Sequence, residues 1–277
     1  MKGHIFIYKI HWYNWSQNCQ VLKNSCWTQM TFHPAKCCIL RVTRKKNPIL
    51  TNYEMLGQQL ETVHQYPYLG VELSEDLGWE PRINKVISKA NRTLWFLRRN
   101  IYKCPQDIKA QTYISLVRSL LEYASSVWDP LRKCHINALE MVQRKAARFV
   151  TSSYTREPGT VTTILQNLGW QTLENRRQMA RLTLLYKSIN QDAAVNIPPY
   201  LTEPTTRTRQ YHSQWFSWLS TSTDTFKYSF IPRTISDWNW TTYPLKSSYH
   251  HQWTSQLELH AVDQSFRVSL KLFTIYT

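Results

Sequence analysis

The apolar residues of this chain change period once, near Trp79. Before it the runs are short. "CCILRVT", Cys37 to Thr43, is rich in β-formers, and Leu69, Val71 and Leu73 alternate on one face of "YLGVELS". "RKKN" with Pro48 marks a turn, and Gly57 and Pro67 separate further short pieces, which read as small strands. Gly70 falls inside the alternating run, where a glycine signals a bulge or a close backbone approach. After Trp79, Ile83, Ile87, Ala90, Leu94, Leu97 and Ile101 recur at spacings of three and four, which is one seam on a helix. Lys85, Lys89, Arg92 and Arg99 fall opposite that seam, so this helix carries an apolar stripe and a basic back.

Three more helices follow by the same reasoning. Pro105-Gln106-Asp107 opens one that runs to about Trp128, apolar over half its circumference through Tyr113, Val117, Leu120, Leu121, Ala124 and Val127. Arg118 and Glu122 are spaced to pair along it. The next, about His135 to Val150, turns Ile136, Leu139, Val142, Ala146 and Val150 inward and Arg144, Lys145 and Arg148 outward. The last, Leu173 to Asn190, buries Met179, Leu182, Leu185, Tyr186 and Ile189, with Arg176, Arg177, Arg181 and Lys187 on its other side. Short loops between such helices predict a mainly α fold, an antiparallel helical bundle with a small N-terminal β-hairpin region. Beyond Asn190 a Pro- and Thr-rich connection leads to "FKYSFIPRTISDWNW", which reads as a short helix, and "SSYHHQWTSQLELH" reads as another.

Charge adds a partner class to this picture. Among 277 residues, 34 Lys and Arg face 18 Asp and Glu, a net charge of +16. Such an excess suits a polyanion, and nucleic acid is the commonest one. Six cysteines without a C-x-x-C pair, and no signal-peptide pattern, suit reduced thiols in the cytoplasm or nucleus. No apolar run approaches the length of a membrane span.

The chemistry that the chain lacks narrows the reading further. A two-metal nucleotidyl transferase needs carboxylates that share the ions. The aspartates are Asp76, Asp107, Asp129, Asp192, Asp224, Asp237 and Asp263, and no two are adjacent. No cysteines show zinc-finger spacing, none of the nine histidines begins an H-x-D iron motif, and P-loop, G-x-S-x-G and G-x-G-x-x-G patterns are absent. No cofactor and no catalytic residue is therefore expected.

Several stretches carry a resemblance. "FHPAKCCILRVT", "YEMLGQQLETVHQYPYLGVELSEDLGWEPRI", "SKANRTLWFLRRN", "LVRSLLEYASSVWDP", "LEMVQRKAARFV", "LGWQTLENRRQMARLTLLYK" and "SFIPRTISDWN" occur in unbroken order between about residues 27 and 245. Together they resemble the part of a non-LTR, LINE-class retrotransposon reverse transcriptase that follows its catalytic strand-turn. The resemblance implies a divergent leader in 1–26, the end of a palm with its hairpin in 27–78, a helical thumb in 79–190, a C-terminal extension in 191–260 and an unassigned tail in 261–277. In that family "YLGV" belongs to a hairpin at the palm–thumb junction. The family's Tyr-x-Asp-Asp would lie upstream of Trp27, and residues 1–26 contain no aspartate. Arg82 stands where relatives often carry His. The resemblance thus implies a catalytically inactive piece of an RNA-directed DNA polymerase, a degenerate copy or an exon fragment.

The binding residues implied by the basic helix backs are Lys85, Lys89, Arg92, Arg99, Arg144, Lys145, Arg148, Arg176, Arg177 and Arg181, and the ligand is RNA, DNA or an RNA–DNA hybrid. Solvated charges pointing in different directions are the alternative for the same residues. Lys36, in "FHPAK", matches the lysine of the family's post-catalytic palm motif, and a phosphate contact or a solvated lysine are its other readings. For the chain as a whole the alternative is a helical protein-interaction scaffold, whose partner would be a full-length polymerase; the 12 tryptophans suit either exposed hot spots or a core.

Overall fold

A computed structural model describes residues 3–7, 35, 37–42, 52–155, 157–191, 201–202 and 216–240, with only the backbone described for 3–7. The chain forms two compact units, Met1–Asn84 and Lys85–Thr277. It is mainly helical, and among the described residues the small sheets lie in the first unit. The helix proposed within "SSYHHQWTSQLELH", the 261–277 tail and Lys36 lie outside the described residues.

In the first unit, β2 (Cys38–Val42) pairs antiparallel with β1 (Gly3–Ile7) and parallel with β5 (Glu61–Val63). The segment read as a leader without periodicity therefore contains a strand. Cys37, Ile39 and Leu60 form a small core here, with Tyr53 and Met55 packed against it. Two hairpins lie in the same unit, β3 (Glu54–Met55) with β4 (Gln58–Gln59), and β6 (Gln65–Tyr68) with β7 (Val71–Ser74).

Both hairpins turn on the dipeptide Leu-Gly. Leu56 and Gly57 have φ of 50° and 75°, and Leu69 and Gly70 have φ of 46° and 79°. Positive φ at both central residues defines a type I′ turn, whose twist matches that of the flanking strands. This corrects the placement of Gly70 within a strand or bulge. Gly70 is the second turn residue, Leu69 sits beside it half out of the protein, and Val71 and Leu73 alone of the three alternating residues are buried. The sequence misleads because leucine, which gains nothing from positive φ, occupies a position where Asn or Asp would have signalled a turn. The Arg82 guanidinium, buried in the first turn of the following helix, donates to the Gly70 carbonyl at 2.7 Å and fixes that turn. Ser74 and Asp76 shape the exit: Ser74 Oγ donates to Gly78 O at 2.9 Å, and Gly78 N donates to Asp76 Oδ1 at 2.9 Å.

α1 (Glu80–Asn100) buries Ile83, Ala90, Leu94 and Leu97 of the expected seam, with Val86 beside them, whereas Ile87 and Ile101 are half-buried. The helix expected to run unbroken to Trp128 is interrupted. α2 (Gln106–Tyr113) passes into a π-helical turn, Ile114–Arg118, then α3 (Ser119–Glu122); a break at Ala124 precedes α4 (Ser125–Trp128). Thr112, Ser115 and Ser119 donate their hydroxyls to the carbonyls four residues back, Ile108, Gln111 and Ser115, and such back-bonding bends helices. Ala124 is left-handed at φ 54° yet fully buried. Trp128, also fully buried, holds the break by donating Nε1–H to Tyr123 O at 2.8 Å.

α5 (Lys133–Thr151) buries Ile136, Leu139, Val142, Ala146 and Val150 as expected. α6 (Thr160–Asn167) was not legible as a helix. It ends in a Schellman motif, with Gly169 at φ 64° and bonds from Gly169 N to Gln166 O and from Trp170 N to Leu165 O. α7 (Leu173–Ile189) packs Leu182 and Leu185 against Ile235 and Trp238 of α9 (Phe230–Trp240), which follows the short α8 (Asp224–Lys227). The Asn239 side-chain amide clasps the backbone of Phe216 from both sides, donating to its O at 2.9 Å and accepting from its N at 3.2 Å.

Candidate nucleic-acid interface

The ten basic residues expected on helix backs separate into two populations. Lys85, Lys89, Arg92 and Arg99 on α1, and Arg144 and Lys145 on α5, are exposed; Arg148 is half-buried. On α7 the expectation of an outward basic face is wrong. Arg176 is half-buried, and Arg177 and Arg181 are only 1% and 3% exposed. The reason is that α7 is covered on both sides, by α4 and α5 on one and by α9 on the other. Its arginines therefore face protein, and each has found a carboxylate.

Asp129, which follows α4, is the hub. Its Oδ1 accepts Arg177 Nε–H at 2.7 Å, its Oδ2 accepts from Arg181 Nη1 and from Arg233 Nη2 at 3.2 Å, and its backbone carbonyl accepts Arg233 Nη1–H at 3.0 Å. Arg181 reaches on to Asp237 Oδ2 of α9 at 2.6 Å. A neighbouring pair closes the same face: Arg176 bonds both oxygens of Glu122, and Arg118 lies 3.9 Å from Glu122 along the helix. Arg118 and Glu122 thus stand at the expected spacing, but the bidentate partner of Glu122 is Arg176. Burial lowers the pKa of the Arg233 guanidinium despite Asp129 beside it. The Nη atoms of Arg177 have no hydrogen-bond partner among the described residues.

A second buried carboxylate, Glu140 of α5, caps α7. Its Oε1 accepts from Glu174 N at 2.9 Å, at the positive end of the helix dipole. Thr172 caps the same end through Asn175 N. Desolvation nevertheless pushes the Glu140 carboxyl above its ordinary range, with the α7 backbone amides and Arg177 pulling the other way. Beneath it Tyr113 Oη donates to Gln143 at 3.1 Å, and Gln143 donates to Gln171 O at 2.9 Å.

Sequence reasoning missed these roles for Glu122, Asp129, Glu140 and Asp237. A signal was present, because each member lies in one of the quoted stretches: Glu122 and Asp129 in "LVRSLLEYASSVWDP", Glu140 in "LEMVQRKAARFV", the α7 arginines in "LGWQTLENRRQMARLTLLYK", and Arg233 and Asp237 in "SFIPRTISDWN". Four stretches separated in sequence meet through their charged residues. Among the described residues, no three His, Cys, Asp or Glu side chains gather as a metal ion would require, and no helix is long and apolar enough to cross a membrane.

What remains exposed and basic is α1 and the outer face of α5. α1 displays aromatic rings among its cations: Trp95 is 60% exposed and Phe96 55%. Arg98 lies 4.9 Å from the Trp95 ring and 5.6 Å from that of Tyr154, just beyond α5, and reaches the Tyr154 hydroxyl at 3.4 Å. The exposed charges therefore sit on a surface whose rings are oriented by an arginine.

Comparison with known proteins gives a relationship of the same kind. The chain is 25% identical over 164 residues to a protein of Drosophila melanogaster described as a probable RNA-directed DNA polymerase from transposon BS. The match takes in 57% of this chain and 17% of that protein, so the chain spans under a fifth of the relative's length. No family model and no solved structure matches. The chain is similar to an RNA-directed DNA polymerase at this level.

Proposed function

We propose that this chain is the portion of a LINE-class reverse transcriptase that follows the catalytic strand-turn, and that it binds nucleic acid without performing polymerisation. Residues 27–78 are then the end of the palm, 79–190 an antiparallel thumb-like bundle and 191–260 a C-terminal extension. The observation that carries this reading is the meeting of three of the quoted stretches at Asp129. Segments that only resembled a family in order also complete one another's charges in space, as parts of one inherited fold would. Phosphate contacts fall to Lys85, Lys89, Arg92, Arg99, Arg144 and Lys145, with Arg148 at the edge; Arg176, Arg177 and Arg181 hold the bundle together instead.

A salt titration tests this on a duplex and on an RNA–DNA hybrid. Each neutralised phosphate releases counterions, so affinity should fall steeply with salt. Replacing Lys89, Arg92 and Arg99 together by Ala should flatten the logarithmic slope by about 2.7, roughly 0.9 per lost phosphate contact. Primer extension with Mg²⁺ or Mn²⁺ should show no incorporation, because the sequence offers no adjacent pair of aspartates. Incorporation, or a slope untouched by the triple substitution, would remove the proposal. The competing scaffold reading rests on the exposure of Ile108 and Leu116 on the α2 side of the unit; it gains if no nucleic acid binds at any salt.

A further inference from the structure

We infer that the C-terminal half of α1 is a stacking platform for unpaired bases, so that the chain prefers single-stranded nucleic acid to duplex. This rests on the nucleic-acid reading above and specifies its ligand. Isolated exposed apolar residues are ordinary on a protein surface. Here, however, Trp95, Phe96 and Tyr102 follow one another on a single helical stretch and its exit, each more than half exposed. Tyr154 joins them through Arg98, whose guanidinium lies near both the Trp95 and the Tyr154 ring. Arg98 occupies one face of Trp95 and restrains it, which leaves a ring more than half open to solvent for a second partner.

The charge around these rings selects the partner. From residue 81 to residue 106 there is no Asp or Glu, while Lys85, Lys89, Arg92, Arg99 and Lys103 flank the aromatics. At 100° per residue, Lys85, Lys89, Arg92, Phe96 and Arg99 lie within one face of the helix, with Trp95 at its border. An apolar peptide would meet a row of exposed cations on this face. A polyanion with flat apolar faces meets both features. Single strands supply both, as phosphates for the cations and unstacked bases for the rings, whereas a duplex hides its base faces.

The test measures binding of the full chain to an oligothymidine strand and to a duplex of matched length, at one salt concentration. Trp95→Ala with Phe96→Ala should weaken single-strand binding roughly tenfold to 100-fold, as expected for stacked bases, and leave duplex binding within about twofold. Trp95→Phe with Phe96→Tyr should restore it. Cross-linking of the wild-type chain to bromouridine-substituted strand should map to Trp95 or Phe96, a readout that does not depend on a variant folding. Equal losses on strand and duplex, an unchanged strand affinity, or cross-links that map elsewhere would overturn the platform while leaving nucleic-acid binding intact. Failure of the wild-type chain to bind either ligand would overturn both proposals. Loss of binding to anionic lipid vesicles on the same substitutions, with strand affinity unchanged, would reassign the surface to membranes.

Discussion

Arg177 donates its Nε proton to Oδ1 of Asp129 at 2.7 Å across 48 residues of sequence, with both side chains all but sealed from water. A buried pair of this kind contributes little beyond what well-packed apolar groups would, because desolvation offsets the attraction. Breaking it is another matter. Asp129→Ala would leave Arg177, Arg181 and Arg233 without their common acceptor, and the expected loss is about 3–5 kcal/mol in urea denaturation. Lys133→Ala removes an exposed pair with Glu174 and should cost at most about 1 kcal/mol. Similar losses for the two variants would show that the hub is not buried in solution.

Glu140 sets one pH dependence. Burial raises its folded pKa, so its contribution to stability is complete below the unfolded value and declines as pH rises through the folded one. Glu140→Gln keeps an acceptor for the Glu174 amide and removes the titration. The variant should therefore gain on the wild type from pH 4.5 upward and match it in more acid solution. Melting temperatures across that range decide it; a constant difference would deny Glu140 the role.

Asp76 has the opposite sign. Its bond from Ser74, then that from Gly78, lowers the folded pKa, so its contribution is present above the ordinary aspartate value and lost as pH falls through the folded one. Asp76→Ala should destabilise the hairpin exit at neutral pH, and the gap from wild type should close in acid. Hydrogen exchange at the Gly78 amide, which Asp76 holds, reads this locally.

Ala124 is a constrained backbone position of the helical unit, at φ 54° with no exposed surface. A left-handed non-glycine residue costs roughly 1–2 kcal/mol, part of which Gly would recover against its greater unfolded entropy. Ala124→Gly should accordingly be neutral to about 1 kcal/mol stabilising. Ala124→Val, β-branched and without room, should cost at least about 2 kcal/mol. A thermal melt in which Val is tolerated as well as Gly would contradict the geometry.

The seams of α1 and α5 were legible because one side of each helix meets protein and the other meets water, so period alone sorts their residues. α7 was not, since its second covered side is supplied by α9, far along the chain, and no local pattern announces that neighbour. Its arginines look solvated in sequence and are buried in the fold. α6, "TVTTILQN", was missed because its β-branched residues are weak helix formers; the cue lay downstream, in Gly169-Trp170. The break at Ala124 has no glycine to mark it, and the Leu-Gly turns look like strand. The exposed charges of the candidate interface could be listed from sequence, but which arginines belonged to it depended on where the carboxylates were.

The bond from Arg233 to the Asp129 carbonyl spans 104 residues. At roughly 5–20 residues per second, Asp129 leaves the ribosome about 5–20 s before its last arginine does. Once α7 has emerged within that interval, α4, α5 and α7 can meet, yet the surface reserved for α9, with Leu182, Leu185 and Arg181, stays open. A nascent chain in that condition offers an apolar groove beside an incompletely paired charge, which is the kind of surface that chaperones retain. Arrival of α9 covers the leucines and supplies Asp237 and Arg233 in the same step, so release and completion of the network coincide.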